Sequence, residues 1–414
     1  MRRRSPLLLF SISLLFACAE GIASADDWPQ ILGPGRDGRA VGGTLPDWTT
    51  PPKVRWRVDC GAGYAGVATT AGNVLLWHRV GDEERLDCLA ADDGERRWRA
   101  AFPAIYRGGV DADRGPRCVP VVAGDRVIVH GAAGDLHAVA LADGKPLWTR
   151  QLRTDYDAQD GYFGAGSTPL VIGSSVIVVV GGRDNAGIVS VDLADGKTIW
   201  TATDGQASYA SPVAMRIDDQ PRIAVVMGLN TFLLDPANGE VLRQFDFGRR
   251  GPVVNAATPL VDGTRLFVTA SYGIGCRMVD LASDPPTDLW RSRDVISSQY
   301  ASPVRSGDWL YAISGREDVG DAGLLCVRWA DGKVGWSRPD FGTGHLIVVG
   351  DRILAQLTDG RLELFATRPD AYQPVASADL PAGSYRSLPA LADGVIYCRR
   401  TISPTTGELL AIEP

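Results

Sequence analysis

Short stretches in which apolar and polar residues alternate recur along the chain, and each leads through Asp-Gly to a tryptophan. Four copies are clear, at Cys88–Trp98, Ala138–Trp148, Val189–Trp200 and Leu325–Trp336. Alternation of this kind predicts a half-buried strand, and Asp-Gly tolerates the positive φ angles that tight hairpin turns require. Each copy therefore predicts a β-hairpin whose second strand carries the tryptophan.

The spacing of these tryptophans sets the length of the repeat. The residues concerned are Trp56, Trp98, Trp148, Trp200, Trp290 and Trp336. Successive members are 42, 50, 52, 90 and 46 residues apart, and the interval of 90 fits two repeats with a degenerate copy at Leu233–Leu242. Two further copies follow, at Leu362–Thr367 and Gly407–Ile412. We interpret the six tryptophans as structural residues that pack between neighbouring repeats.

A second phrase opens most repeats, in which small residues precede a proline and an apolar run. It occurs at Ser167–Pro169, Ser211–Pro212, Ala257–Pro259, Ser302–Pro303 and Ser387–Pro389. With both phrases counted, one repeat holds about four short strands, which is typical of a propeller blade. The sequence thus predicts an all-β fold of four-stranded antiparallel blades.

The two ends of the chain predict how the ring closes. The last repeat stops after its third strand at Gly407–Ile412, whereas Val54–Val58 is a tryptophan-bearing strand with no hairpin before it. Pairing the two completes eight blades and removes the exposed sheet edges. We therefore predict an eight-bladed β-propeller over residues 54–414, a signal peptide over 1–25 and an N-terminal extension over 26–53.

The phrase Ala-Asp-Gly-Lys followed by tryptophan resembles the pyrroloquinoline-quinone-like repeat, and the resemblance covers nearly all of residues 54–414. The segment Asp27–Gly38 also resembles the opening of exported bacterial propellers of this superfamily. Its members include quinone-dependent alcohol dehydrogenases and the BamB type of outer-membrane assembly lipoprotein. Because these share blades and differ in chemistry, the repeat alone implies the fold and leaves the function open.

The N-terminus predicts export. Basic residues at Met1–Arg4, an apolar run at Leu7–Ala19 and the small residues Ala23–Ala25 form a secretory signal cleaved after Ala25. The alternative is lipidation at Cys18, which would give the one membrane contact we consider. Cleavage removes three arginines and Glu20 and changes the net charge from −7 to −9, which argues against nucleic-acid binding. We expect a periplasmic or secreted monomer whose partners are envelope proteins or peptides.

Catalytic and metal-binding motifs are missing from the sequence. A quinone enzyme of this superfamily would carry two adjacent cysteines over the quinone, calcium ligands and an aspartate base. In this chain no two cysteines are adjacent in the sequence. Two loop clusters, Asp184-Asn185 and Glu317-Asp318, are the candidate metal ligands, and we interpret them as solvated turn residues. We expect no catalytic residues, no metal, no disulfide framework and no cofactor, with pyrroloquinoline quinone and calcium as the alternative.

Aromatic and basic residues mark the connections that lead into the first strand of each blade. The candidate binding rim consists of Tyr64, Arg107, Arg117, Tyr162, Phe163, Tyr209, Asn255, Tyr300, His345, Tyr385 and Arg386. Either the tyrosines cap the blades, or they form a rim for a peptide or an exposed strand. We predict an exported, non-catalytic scaffold. The alternatives are a quinone-dependent oxidoreductase or quinone sensor, and a carbohydrate or small-ligand binding module.

Overall fold

The alternating stretches fold as eight four-stranded antiparallel sheets arranged as the blades of a propeller. The computed structural model describes residues 27–42, 45–46, 48, 50–159, 161–251 and 253–414. The fold class predicted from the repeat is therefore confirmed. The predicted signal peptide and Cys18 lie outside the described residues.

Blades one to four follow one another along the chain. Their strands are, for blade one, β2 (Ala68–Thr70), β3 (Asn73–Val80), β4 (Glu83–Ala90) and β5 (Arg96–Pro103); for blade two, β6 (Val121–Ala123), β7 (Arg126–His130), β8 (Asp135–Ala140) and β9 (Pro146–Gln151); for blade three, β10 (Leu170–Ile172), β11 (Ser175–Val179), β12 (Ile188–Asp192) and β13 (Thr198–Ala202); and for blade four, β14 (Val213–Ile217), β15 (Gln220–Val226), β16 (Asn230–Leu234) and β17 (Val241–Asp246). A single helical turn, α1 (Leu152–Asp155), follows β9.

Blades five to eight complete the ring, and the last blade takes its outer strand from the N-terminal part of the chain. Their strands are, for blade five, β18 (Leu260–Asp262), β19 (Arg265–Ala270), β20 (Gly275–Asp280) and β21 (Thr287–Ser292); for blade six, β22 (Val304–Ser306), β23 (Trp309–Ser314), β24 (Gly323–Arg328) and β25 (Val334–Arg338); for blade seven, β26 (Gly344–Val349), β27 (Arg352–Leu357), β28 (Arg361–Ala366) and β29 (Pro374–Asp379); and for blade eight, β30 (Ala390–Ala392), β31 (Val395–Ser403), β32 (Thr406–Glu413) and β1 (Lys53–Gly61).

Ring closure occurs where the sequence predicts it. Strand β1 pairs antiparallel with β32, with Trp56 opposite Ala411 and Val58 opposite Leu409. The buried Arg399 of β31 then ties blade eight to blade one. Its guanidinium donates to the carbonyl oxygens of Gly61, Ala65 and Trp77 at 2.9, 3.0 and 3.1 Å. The two ends of the chain are thereby held in one sheet.

The six tryptophans dock six of the eight outer strands against the next blade. Every indole N–H donates to a backbone carbonyl at the hairpin turn of the following blade, at 2.7–3.0 Å. In five of these contacts the indole lies over the turn glycine, where a Cβ atom would come within 2.4–2.8 Å of the ring. Blade four carries Arg243 in the equivalent position, and its Nε donates to Ser283 of blade five at 3.0 Å.

The small residues before proline also connect blades. The hydroxyl of Thr168 accepts from the backbone N–H of Val119 at 3.1 Å, and the backbone N–H of Thr168 donates to Ser211 Oγ at 3.0 Å. The same pattern continues from Thr258 to Ser302 at 2.9 Å. Residues of the second repeated phrase thus form hydrogen bonds from one blade to the next around the axis.

Residues 27–42, which we call the axial segment, lie on the ring axis. Backbone hydrogen bonds join Trp28 to Thr69 in blade one, Pro29 to Val122 in blade two and Ala40 to Val348 in blade seven, at 2.8–2.9 Å. Arg39 donates to the backbone oxygen of Arg305 in blade six at 2.6 Å.

Arg36 extends the reach of the axial segment to blades three and four. Its guanidinium is buried and donates to the carbonyl oxygens of Thr168, Pro169 and Pro212. Because the axial segment contacts six blades, it fills the centre of the ring.

All cysteines within the described residues are buried free thiols, at positions 60, 88, 118, 276, 326 and 398. All but Cys118, which lies in the connection before β6, are held on blade strands as small apolar side chains. No helix among the described residues has the length and apolar character needed to cross a membrane.

Candidate functional site

Strand direction divides the ring into two faces. In each blade the connection into the first strand and the loop between the second and third strands lie at one end, which we call the loop face. The two hairpin turns lie at the other end, which we call the turn face. All of the sequence-predicted rim residues belong to segments at or beside the loop face.

Arg386 lies at the centre of the loop face and joins three blades. Its Nε donates to a carboxylate oxygen of Glu317 in blade six at 3.0 Å. Its Nη1 lies 3.6 Å from Asp111, in the connection between blades one and two. The guanidinium also covers the ring of Tyr64, 5.7 Å from its centroid. Although burial alone would lower it, the Glu317 carboxylate holds the pKa of Arg386 above its ordinary value.

Two tyrosines hold the carboxylates that face Arg386. Tyr64 donates its hydroxyl to Asp111 at 3.2 Å, and Tyr300 donates to Glu317 at 2.9 Å. Burial, followed by the nearby carboxylate, raises the pKa of Tyr64 to about 12 and raises that of Tyr300 as well. Both phenols therefore act as hydrogen-bond donors at neutral pH. We call these five residues, Tyr64, Asp111, Tyr300, Glu317 and Arg386, the mouth cluster.

Arg117 braces the mouth cluster from the side of blade two. Its Nη2 donates to the backbone oxygen of Asp113 at 2.7 Å, and its guanidinium lies 5.5 Å from the centroid of Tyr64 and 5.8 Å from that of Tyr106. The Asp113 carboxylate in turn accepts from the backbone N–H of Gly63 at 2.8 Å. These contacts hold Asp113 and Arg117 against the connection that precedes β2.

Three of the predicted rim residues lie beneath the surface. Asn255 is buried and donates to the backbone oxygen of Met227 at 2.9 Å. His345 is buried and its Nε2 lies 2.9 Å from the backbone oxygen of Arg386, while burial lowers the pKa of its ring. Tyr385 is fully buried, with its hydroxyl donating to Pro381 at 2.7 Å. These side chains support the loops and do not line an exposed surface.

The exposed part of the rim lies beside blades two and three. Tyr162 is 46% exposed, and Arg107 is also exposed. Phe163 and Tyr209 stand behind Tyr162. Their rings are 5.8 Å apart, and the Tyr209 hydroxyl accepts from the backbone N–H of Phe163 at 2.9 Å. Arg107 and Tyr162 are therefore the exposed side chains of the predicted rim.

Sequence reasoning missed two exposed apolar residues in the connection between β5 and β6. Val110 is 73% exposed and Ile105 is 41% exposed. The backbone N–H of Val110 donates to the carbonyl of Tyr162 at 3.1 Å, so the two segments are joined. We call Ile105, Val110 and Tyr162 the exposed ridge. Its sequence signal was the length of the connection between β5 and β6, since long loops often carry function.

The two candidate metal-binding clusters, Asp184-Asn185 and Glu317-Asp318, have other roles. Glu317 belongs to the mouth cluster, and Asp318 accepts from the Arg316 guanidinium at 3.0 Å. Asp184 and Asn185 are exposed and both have positive φ, 54° and 63°, as expected of turn residues. Asp111, which the sequence analysis did not single out, is the carboxylate that completes the mouth cluster.

The fold and the arrangement of its loops define the class of the protein as a closed eight-bladed propeller of pyrroloquinoline-quinone-like repeats. A family model described as outer membrane protein assembly factor BamB matches residues 50–160 and 83–338. The chain belongs to this family.

Individual relatives agree with this assignment. The outer membrane protein assembly factor BamB of Yersinia pestis is 26% identical over 317 residues, which cover 73% of this chain and 71% of that protein. The crystal structure of BamB from Moraxella catarrhalis has a TM-score of 0.63 at 16% identity and covers 88% of this chain and 98% of its own, which shows that the fold is shared.

The fold is also shared with enzymes. The quinohemoprotein alcohol dehydrogenase ADHIIG of Pseudomonas putida HK5 has a TM-score of 0.69 at 11% identity, over 94% of this chain and 80% of its own. At that identity the likeness concerns the fold alone.

Proposed function

We propose that this chain is an exported, non-catalytic scaffold of the cell envelope that binds other proteins through its loop face. Membership of the BamB family supports the proposal, and relatives of the chain are described as outer membrane protein assembly factors. The partner class is accordingly the proteins that assemble the outer membrane.

The exposed ridge is the observation that carries the proposal. Ile105 and Val110 lie in one connection, and Val110 is hydrogen-bonded to Tyr162. Exposed apolar side chains of neighbouring segments are more informative than scattered ones, because they cost solvation free energy unless a partner covers them. The exposed Arg107 lies in the same connection as Ile105 and Val110, and Val110 directly precedes Asp111 of the mouth cluster. Apolar residues with tyrosine and arginine in the same surface are typical of protein-binding surfaces.

The quinone alternative has less support from these residues. Calcium takes about six to eight oxygen ligands, whereas no three His, Cys, Asp or Glu side chains among the described residues form a group able to hold a metal. The loop-face end of the axis is crossed by Arg386 and its two carboxylates, and the axial segment occupies the centre. These contacts would have to be broken to admit a quinone.

The test compares two variants that each replace two exposed apolar or aromatic residues by serine. Val110→Ser with Tyr162→Ser alters the exposed ridge, and Leu147→Ser with Ile199→Ser alters exposed residues on outer strands, 43% and 44% exposed. Tagged proteins are incubated with solubilised envelope extract, and captured proteins are quantified by mass spectrometry. We expect the ridge variant to lose outer membrane assembly proteins by about tenfold and the outer-strand variant to retain them.

Equal capture by both variants would contradict the proposal. A second measurement addresses the enzyme alternative independently of any partner. Wild-type protein mixed with pyrroloquinoline quinone, calcium, an alcohol and an electron-accepting dye is expected to give no dye reduction above a protein-free control. Sustained turnover would overturn the non-catalytic assignment.

A further inference from the structure

A polar cleft of about 740 Å³ opens on the loop face between blades five and six, away from the exposed ridge. Its walls come from the connections before β18 and β22 and from the loops β19–β20 and β23–β24. The lining residues that matter here are Arg249, Tyr272, Arg293, Ser297, Ser314 and Arg316. No step in the proposed function uses this cleft.

Three arginines and the two aspartates Asp294 and Asp321 line the cleft, so its walls carry one excess positive charge although the whole chain carries a net charge of −7. Arg249 and Arg293 are exposed, and neither takes part in the ion pairs formed among the described residues. Arg249 donates to the backbone oxygen of Tyr272 at 2.8 Å, which orients its guanidinium along the wall. Two arginines therefore present free donors to the same cleft.

Tyr272 is held as a rigid part of the wall. Its hydroxyl accepts from Gln299 Nε2 at 3.1 Å, and the Arg316 guanidinium covers its ring at 4.6 Å from the centroid. Asp318 fixes Arg316 in turn, with one contact at 3.0 Å. The backbone of Tyr272 has φ +63° and is followed by Gly273 at +76°. A bulky residue is unfavourable in this left-handed region, where asparagine or glycine is the usual choice.

We propose that this cleft binds the carboxylate side chains of an acidic peptide segment in a partner protein. The inference rests on the proposed function, because it names the chemistry of one contact on the loop face. Arginine pairs with carboxylates through two parallel hydrogen bonds, so Arg249 and Arg293 suit a segment with spaced acidic residues. Ser297 and Ser314 add polar side chains to the walls, where the Ser314 hydroxyl accepts from the backbone N–H of Ser297 at 2.9 Å.

Other ligand classes fit the same walls less well. The volume is larger than a single phosphate requires, and the one face of Tyr272 that Arg316 covers is closed to stacking by a sugar. Val253 is the one aliphatic side chain among the described lining residues, so the cleft offers little to a lipid acyl chain. A peptide satisfies both the charge and the polar walls.

The experiment uses a labelled synthetic peptide of alternating aspartate and threonine, with an asparagine analogue as the neutral probe. Binding to the full mature chain is followed by fluorescence anisotropy at two salt concentrations. Arg249→Gln with Arg293→Gln removes the free donors. The matched control, Arg216→Gln with Arg265→Gln, removes the same charge from exposed positions at the turn face.

We expect the wild type to bind the acidic peptide in a salt-dependent manner and to ignore the neutral one. The cleft variant should bind about tenfold more weakly, and the control should change less than about twofold. Absence of binding, equal binding of the asparagine analogue, or equal loss in the control would overturn the inference. Sedimentation with phosphatidylglycerol vesicles that is lost in the cleft variant, without peptide binding, would assign the site to lipid instead.

Failure of this inference can be told apart from failure of the proposed function. If the cleft variant keeps full capture of envelope proteins while the ridge variant loses it, the scaffold function stands and the cleft inference falls. If the ridge variant captures normally and the acidic peptide still binds at the cleft, the ridge is wrong and the cleft inference stands.

Discussion

Two arginines lie at the ring axis, one in the axial segment and one in the mouth cluster, and their charges are satisfied in opposite ways. Arg36 is buried among neutral acceptors, including the carbonyl oxygen of Pro212 at 2.8 Å and the side-chain oxygen of Gln30 at 2.7 Å. Burial lowers the pKa of Arg36 to about 9. Arg386 has a side chain that is 39% exposed and faces the carboxylates of Glu317 and Asp111.

The difference separates a permanent contact from an exchangeable one. Backbone carbonyls cannot leave their places without unfolding a blade, so Arg36 locks the axial segment to the inner strands. Partly exposed ion pairs contribute little net stability, because water competes for both partners. The centre of the ring is therefore built for stability, whereas the loop face can change its charge pairing when a partner arrives.

The largest expected effect follows from Arg36→Ala. The change leaves the carbonyl oxygens of Thr168, Pro169 and Pro212 buried without their donor, and each such group is costly. We expect the free energy of unfolding to fall by about 3–5 kcal/mol. Urea unfolding followed by tryptophan fluorescence measures it.

A control for this prediction is Arg55→Ala, which breaks an exposed ion pair with Asp92. It should change the unfolding free energy by less than about 0.5 kcal/mol. If Arg36→Ala behaved like this control, the axial segment would be a loose attachment and the distinction between the two arginines would disappear.

The blades could be predicted from the sequence because their signals are local and repeated. Asp-Gly turns, alternation and the interval between tryptophans are all short-range patterns, and the unpaired strand around Trp56 needed only a count of strands to find its place beside Ala411. The role of Arg36 has no such signal. In Gly35-Arg36-Asp37-Gly38 it looks like a solvated turn residue, and its acceptors are backbone carbonyls, which every residue carries.

The candidate site was predictable in part for a related reason. Its residues lie in irregular connections, where no period of two tells which side chains face outward. The sequence pattern therefore does not distinguish Tyr385 from Tyr162, although Tyr385 is fully buried and Tyr162 is 46% exposed. Asp111 was missed because its partner, Arg386, lies 275 residues away in the chain and meets it only across the closed ring.

A change of the unfolding free energy with pH, of intermediate size, should arise at Glu84 on the loop face and not at Arg36. Glu84, at the start of β4, is buried against blade two, and its carboxylate accepts from the backbone N–H of Ala132 at 3.0 Å. Burial raises the pKa of Glu84 to about 7, with Asp135 adding to the rise and Arg79 and Arg117 opposing it. Folding therefore favours the protonated carboxyl.

Because the folded pKa lies above the unfolded value of 4.5, the stability linked to Glu84 is complete below pH 4.5 and is lost as pH rises to about 7. Glu84→Gln should remove this loss and raise the unfolding free energy at pH 8 by on the order of 2 kcal/mol relative to wild type. Urea unfolding at pH 5 and pH 8 measures it. A variant that stays as pH-dependent as wild type would show that Glu84 is not the group responsible.

The smallest expected effect on stability belongs to Arg386→Ala. After the change, Glu317 still accepts from the Tyr300 hydroxyl at 2.9 Å, and Asp111 still accepts from the Tyr64 hydroxyl at 3.2 Å. Each carboxylate therefore keeps a hydrogen-bond donor. The unfolding free energy should fall by about 1 kcal/mol or less.

Local opening should nevertheless increase, because Arg386 is the contact that ties residues 104–116 across the axis to blade six. Hydrogen exchange of these amides is expected to be faster in the variant while that of the axial segment is unchanged. A loss of stability as large as that of Arg36→Ala would mean that the loop face is as permanently built as the centre of the ring, and that its ion pairs do not exchange.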